Sequence, residues 1–569
     1  MAGTILENLS GRKLAYLVSG LLICQVVCFL VGGLIAPAPS NVETILATKC
    51  QMDRPIGIDE FDDVWHIPRG KGKSSINCKV VNDINLDSPD VINDPNITPN
   101  HLSFAFQAPL PKDGMILDYS RWMGTLNAIL ELEILFKKEN PMAKKPVITF
   151  EVKLGSRNKW DPYDKWTLIA NSTETRDLNC VIDEEKKIDG YHYDCDVLPL
   201  FELGSVHYDY YLINIRVPID FTGKTPLNEG IGHIDGMWLV LIHQNGGFTK
   251  VWVSLKTIFF PVVLLTLIWY WKRINLLCRA PILVEKMLLG LGIALSVLNC
   301  PLEYLTLWID MPFMILLSDI RQGIFYASLL SFWLIFCGEH LMEGRKDEVE
   351  RNRLRSYWHY LTTVALGCFC LFIFDMCERG VQLKNPFFSI WTSTIGSKLS
   401  LGFIILAGIS ACTYFIFLCY MVFKVFRNIG FKRNTLPSMS SARRMYYEGI
   451  IYRFKFLMMA TVLCAALTVI SFVIGQVSEG QWKWDKDIHL QIEYTSAFYT
   501  GVYGMWNLYT IALLALYAPS HKYYPAQSDA ISSTQEEIEF SRLTTSEPSP
   551  SDPTEISSLT GLTKKAAFD

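Results

Sequence analysis

Eight apolar runs, each long enough to cross a bilayer as a helix of about 20 residues, constrain this chain more than any other feature. They lie near Leu14–Ile35, Val251–Trp271, Ile282–Ile309, Phe313–Cys337, Trp358–Cys377, Leu399–Phe423, Phe456–Ile474 and Thr495–Tyr517. Half of the residues are hydrophobic and only 19% are charged, which excludes a single water-soluble domain. The net charge of -4 gives no reason to expect a nucleic-acid partner. Only Asp310-Met311-Pro312 separates the third and fourth runs, and a proline there predicts a tight reversal.

The first run has two readings. Ala36-Pro37-Ala38 resembles a signal-peptide cleavage site. Against this, the run exceeds a usual signal core and proline follows both alanines, so a retained anchor is expected. Basic residues set the orientation. They crowd the connections after the second, fourth and sixth runs (Lys272 and Arg273; Arg345 and Arg351; Lys432 and Arg443), and Arg12 and Lys13 precede the first. Both termini are therefore expected in the cytosol. The expected layout is a cytosolic segment 1–13, a transmembrane helix 14–36, a luminal domain 37–250, a seven-helix bundle 251–517 and a disordered cytosolic tail 518–569.

The luminal segment carries strand-like text: "HLSFAFQA" from His101, "AILELEILF" from Ala128, "PVITFEVKL" from Pro146 and "YYLINIRVPI" from Tyr210. Such runs, broken by Gly, Pro, Asn and Asp, predict an antiparallel β-sandwich. "LVLIHQNGGFTKVWV" from Leu239 reads as a strand, a turn at Asn245-Gly246-Gly247, then a strand or a helix. Four of the 15 cysteines, Cys50, Cys78, Cys180 and Cys195, fall in this segment, where an oxidising lumen favours disulfides. Three pairings are possible; Cys50–Cys78 with Cys180–Cys195 closes the shortest loops. Asn96 and Asn171 stand in glycosylation sequons on the same side.

No catalytic, metal or cofactor pattern appears. The ten histidines have no metal-binding spacing, and neither a phosphate-binding glycine loop nor a nucleophile elbow is present. What stands out is a set of charges at one membrane depth. Asp319 and Arg321 sit in the fourth run, and Asp375, Glu378 and Arg379 end the fifth. Each charge costs roughly 2.5–3.5 kcal/mol inside hydrocarbon, so such groups face a bundle interior or water. They read either as interfacial ion pairs or as the rim of a cavity between the fourth and fifth spans. On the cytosolic side, Tyr447-Glu448-Gly449-Ile450 fits the tyrosine-x-x-bulky-hydrophobic signal read by clathrin adaptors, with Tyr447 and Ile450 as its anchors.

Several long stretches resemble the Wntless family of Wnt cargo receptors. They are "FLVGGLIAP" from Phe29, "YDCDVLPLFELGSV" from Tyr193, "VLIHQNGGFTKVW" from Val240, "SDIRQGIFYA" from Ser318, "FCGEH" from Phe336, "FCLFIFDMCERGVQL" from Phe369 and "GMWNLY" from Gly504. The end, "TKKAAFD", departs from the acidic tail of vertebrate-type members. The resemblance implies an α+β membrane protein of eight spans. Its luminal antiparallel β-sandwich would be Golgi-dynamics-like and precede a seven-helix bundle similar to G-protein-coupled receptors. It also implies a receptor, not an enzyme, without a cofactor. Such a receptor would bind acylated Wnt proteins and carry them from endoplasmic reticulum and Golgi to the plasma membrane. It would then return through endosomes with the help of clathrin adaptors and recycling machinery. Membrane lipid is the other expected partner. An acyl chain with roughly 14 buried carbons, at about 0.8 kcal/mol each, holds its protein to a membrane by on the order of 10 kcal/mol, which a carrier must match. A G-protein-coupled signalling receptor is the alternative. It lacks support from an Asp-Arg-Tyr triplet after the third bundle helix or an Asn-Pro-x-x-Tyr at the end of the last.

Overall fold

The computed structural model describes residues 4–51, 64–68, 76–81, 99–112, 115, 117–219, 227–277, 280–342, 354–435, 448, 451–452, 454–468, 470 and 495–520. Leu9–Ala518 form one compact unit. In it a two-sheet β-domain precedes and rests against a set of long helices.

One sheet orders β1 (Ser40–Leu46), β12 (His233–Gln244), β5 (Leu126–Leu135) and β10 (Leu198–Leu203). The other orders β3 (Lys79–Val80), β2 (Thr48–Gln51), β4 (Leu102–Ala108), β11 (Tyr210–Arg216), β6 (Val147–Arg157) and β7 (Thr167–Asp177). All the pairings are antiparallel. Alternation explains the assembly: β5 turns Leu126, Ala128, Leu130, Leu132 and Ile134 inward, and β12 answers with Met237, Leu239 and Leu241. Against them β4, β6 and β11 bring Phe106, Phe150, Val152, Ile213 and Ile215.

The outer face of the second sheet is covered as well. Residues 64–68 lie over it, with Asn214 bonding the His66 backbone at both N–H (3.0 Å) and C=O (2.9 Å). Lys153 is buried there, donating to the Val64 carbonyl and lying 4.6 Å from the Trp65 ring. Cys50 is bonded to Cys78, and Cys180 to Cys195 across a small hairpin of β8 (Cys180–Val181) and β9 (Asp194–Cys195). Asn171 is exposed on the edge strand β7, whereas Asn96 lies outside the described residues.

The helices are α1 (Gly11–Leu30), α2 (Gly246–Asn275), α3 (Leu283–Asn299), α4 (Met314–Met342), α5 (Trp358–Gln382), α6 (Thr394–Thr435), α7 (Phe454–Thr468) and α8 (Thr495–Leu516). Among the described residues, α1, α2, α4, α5 and α6 are long and apolar enough to cross a membrane, as is α3 taken with the turn that follows it (Leu283–Leu307), and α7 is a shorter apolar helix. The apolar face of α8 also carries Thr500, Asn507 and Thr510, all buried among its neighbours. The segment after β12 is a helix, not a hairpin. Asn245 caps α2 by accepting a hydrogen bond from Gly247 N–H at 2.8 Å, so the chain passes from strand to helix in one residue. The Asp310-Met311-Pro312 reversal separates a short 3₁₀ turn, Leu302–Leu307, from α4. α1 packs on α8 where small residues let the backbones approach: Gly501 faces Phe29, Gly504 faces Cys28, and Thr500 donates to the Cys28 carbonyl at 2.9 Å.

Candidate functional site between the β-domain and helices four and five

Strand β10 sets up the joint. A bulge between Pro199 and Phe201 resets the alternation, so Phe201 turns into the sandwich core and Glu202 turns out. Glu202 then meets α5: Arg379 Nη1 donates to Glu202 Oε1 at 2.8 Å, and Arg379 Nε donates to Asp319 Oδ2 on α4 at 2.9 Å. One half-buried guanidinium thus ties the β-domain to two helices.

The connection after α5 completes the joint. It inserts Phe387 between the two sheets, where it is 1% exposed and meets Phe201 edge-on at 6.1 Å. Its backbone is held from the β-domain side, since Arg176 Nη2 donates to Phe387 O at 2.9 Å and Glu202 N–H to Pro386 O at 3.0 Å. A second foot stands on the reversal before α4. Ser205 Oγ donates to Asp310 Oδ1 at 2.7 Å, and any side chain at Gly204 would overlap the Pro312 carbonyl oxygen.

Between these feet lies a cleft of about 180 Å³. Glu202, His207 and Tyr208 line it from the β-domain, Asp310 and Ile315 from the reversal and α4, and Arg379 from α5. The Nδ1 atom of His207 is buried there and has no partner among the described residues. A guanidinium shared by two carboxylates is committed to both and offers no acid or base; the arrangement suits holding and positioning, not bond-making.

The five charges singled out in the sequence do not form one group. Asp319 and Arg379 are bonded directly. Glu378 turns to the loop, accepting from Ile390 N–H at 2.8 Å and from Gln382 Nε2 at 3.2 Å. Asp375 lies one turn before Arg379 on α5. Arg321 belongs elsewhere. Two residues along α4 from Asp319, it faces the opposite side and donates to Glu303 Oε1 at 3.0 Å and to Cys300 O at 2.8 Å. Lys256 on α2 donates to the same Glu303 oxygen at 2.5 Å. This second network lies deep between helices, with Lys256 and Arg321 both about 3% exposed. Tyr447 and Ile450 lie outside the described residues.

Sequence reasoning missed Glu202, Phe387, Lys256 and Glu303 as partners. Glu202 and Phe387 look like ordinary strand and loop residues until the chain is folded, whereas Lys256 and Glu303 are charges inside apolar runs, the same signal that picked out Asp319 and Arg321.

Two family models together cover residues 48–521. Residues 48–244 match "Wntless, GOLD domain", and residues 245–521 match "Wntless-like, transmembrane domain". The chain belongs to the Wntless family. The two matches meet at Asn245, the cap where β12 becomes α2. Relatives named "Protein wntless" agree along the whole length. Those of Drosophila virilis, Drosophila grimshawi and Drosophila ananassae are 51%, 50% and 50% identical, each alignment covering all of both chains. As a Wntless protein the chain is a multi-pass membrane protein with a GOLD-type sandwich, and the family is one of cargo receptors and not of enzymes.

Proposed function

We propose that this chain carries acylated Wnt proteins through the secretory pathway, with its β-domain in the lumen and both termini in the cytosol. The observation that carries the reading is the joint. Phe387 seated in the sandwich and Arg379 bonded to both Glu202 and Asp319 fix the β-domain against α4 and α5. A cleft lined by both charged and apolar side chains lies at their meeting point. The β-domain grips the protein part of the cargo, and the acyl chain enters between α4 and α5. Asp319, Asp375, Glu378 and Arg379 stand at the mouth, while Arg321 braces α4 from the other side. Below the mouth, α5 offers apolar side chains such as Phe369, Phe372 and Met376 to a lipid tail.

The rest of the cycle is part of the same proposal: glycans at Asn96 and Asn171, passage through endoplasmic reticulum and Golgi to the surface, and retrieval through endosomes by the Tyr447–Ile450 signal. The test is affinity capture of the full-length chain from secretory membranes. An acylated Wnt should co-purify; its absence from the captured material overturns the reading.

A further inference from the structure

The β-domain has two ends, and one of them faces the helices. At that end β12 ends and β1 begins, each joined directly to a spanning helix. The register places β4, β6 and β10 ending there and β5, β7 and β11 starting there: Tyr211 opposes Ala108, Tyr210 opposes Arg157, Ser156 opposes Thr167, and Leu203 opposes Leu126. Three loops therefore close this end, 109–125, 158–166 and 204–209.

Two of the three touch the helix region. From 109–125, Arg121 Nη1 donates to Leu307 O at 2.9 Å, and Trp122 meets Tyr304 edge-on at 6.2 Å. From 204–209, Ser205 bonds Asp310. The third loop, 158–166, is fastened to the other two: Lys159 N–H donates to Asp209 Oδ2 at 2.8 Å, and Lys159 Nζ pairs with Asp118 at 2.8 Å. It is thus held on the same end of the domain as the two loops that meet the helix region.

At that end it presents Trp160, 92% exposed on a domain whose other large side chains are mostly sheltered. Beside it, on the loop carrying Asp118, are Met115 (66% exposed) and Leu117. The nearby reversal exposes Trp308 and Ile309 as well. Tryptophan is enriched at the headgroup layer, where its ring is apolar and its N–H stays wet. A fully exposed tryptophan in water, by contrast, gains nothing from burial.

We propose that Trp160, with Met115 and Leu117, dips into the headgroup layer of the leaflet on the β-domain side. This gives the domain a lipid foothold beside its protein joint at Phe387 and Arg379. The partner is the bilayer surface, and the contact does not depend on cargo. It restrains tilting of the sandwich about the joint, because the loop and Phe387 contact their supports at separate places.

The test compares the full-length chain with its Trp160→Phe variant in nanodiscs of phosphatidylcholine, with and without bromine on the upper acyl carbons. The difference in tryptophan emission reports Trp160 alone. The proposal expects this difference signal to lose most of its intensity in brominated discs and to resist aqueous iodide. A signal quenched by iodide and not by bromine places Trp160 in water, and one quenched by neither places it against protein; either result overturns the proposal. Equal unfolding midpoints for the two proteins in detergent are expected, since the side chain packs against little.

Discussion

Glu303 is the residue whose loss should be felt most. Its Oε1 accepts from Lys256 at 2.5 Å and from Arg321 at 3.0 Å, and both cations are almost wholly buried. Glu303→Gln keeps the shape and one carbonyl oxygen but removes the only negative charge that these two cations share among the described contacts. Removing one partner of a buried ion pair costs about 3–5 kcal/mol, because a desolvated charge is left uncompensated. The glutamine carbonyl retains a hydrogen bond from a charged donor, worth about 1.5–3 kcal/mol, so a loss of about 2 kcal/mol is expected. Thermal unfolding of the full-length chain in nanodiscs should show a midpoint lower by several degrees. The decisive comparison is Lys256→Met combined with Glu303→Gln. With one cation gone the charge set is nearer balance, and the double variant should recover about 1–2 kcal/mol relative to additive losses. A midpoint unchanged by Glu303→Gln, or strictly additive losses, refutes the claim that charge balance holds α2, the 302–307 turn and α4 together.

Phe387→Ala should empty a sheltered site between the sheets and cost about 3–5 kcal/mol, seen as a lower unfolding midpoint and faster protease cleavage of the β-domain. A loss below about 1 kcal/mol would show that the loop rests on the sandwich without plugging it. His66 is buried, its two ring nitrogens have no partners among the described residues, and burial with the nearby Lys153 charge pushes its pKa down from 6.5 to about 4. As pH falls from about 6.5 toward 4 the unfolded chain takes up a proton that the folded one refuses. Stability therefore drops over that window, by up to about 3 kcal/mol, and is flat for this group above it. His66→Phe should flatten the slope of unfolding midpoint against pH there; an unchanged slope removes His66 as its source. Tyr447→Ala should leave the protein at the cell surface, measured by uptake of a surface-bound antibody, and normal uptake would dismiss that signal.

Periodicity made the larger pieces readable. Alternation at the centre of "AILELEILF" and the long apolar runs carry their own geometry, so the sandwich and helices could be anticipated from local text. Asn245 was half legible, since a turn signal and a helix cap use the same residue types and only the following packing decides. The joint was not legible. "KNPFFSI" reads as a loop, and nothing local says that Phe387 enters a core formed some 200 residues earlier. Asp319 and Arg321 looked equivalent because they share a depth. They part because residues two apart on a helix point to different sides, and the partner each finds is set by the fold.

If the joint between β-domain and helices serves an acylated cargo, binding must depend on the acyl chain. The full-length chain in nanodiscs would be titrated with a Wnt protein and with the same Wnt lacking its acylated serine. The unacylated form is expected to lose most of its binding. Equal binding of the two forms would contradict it.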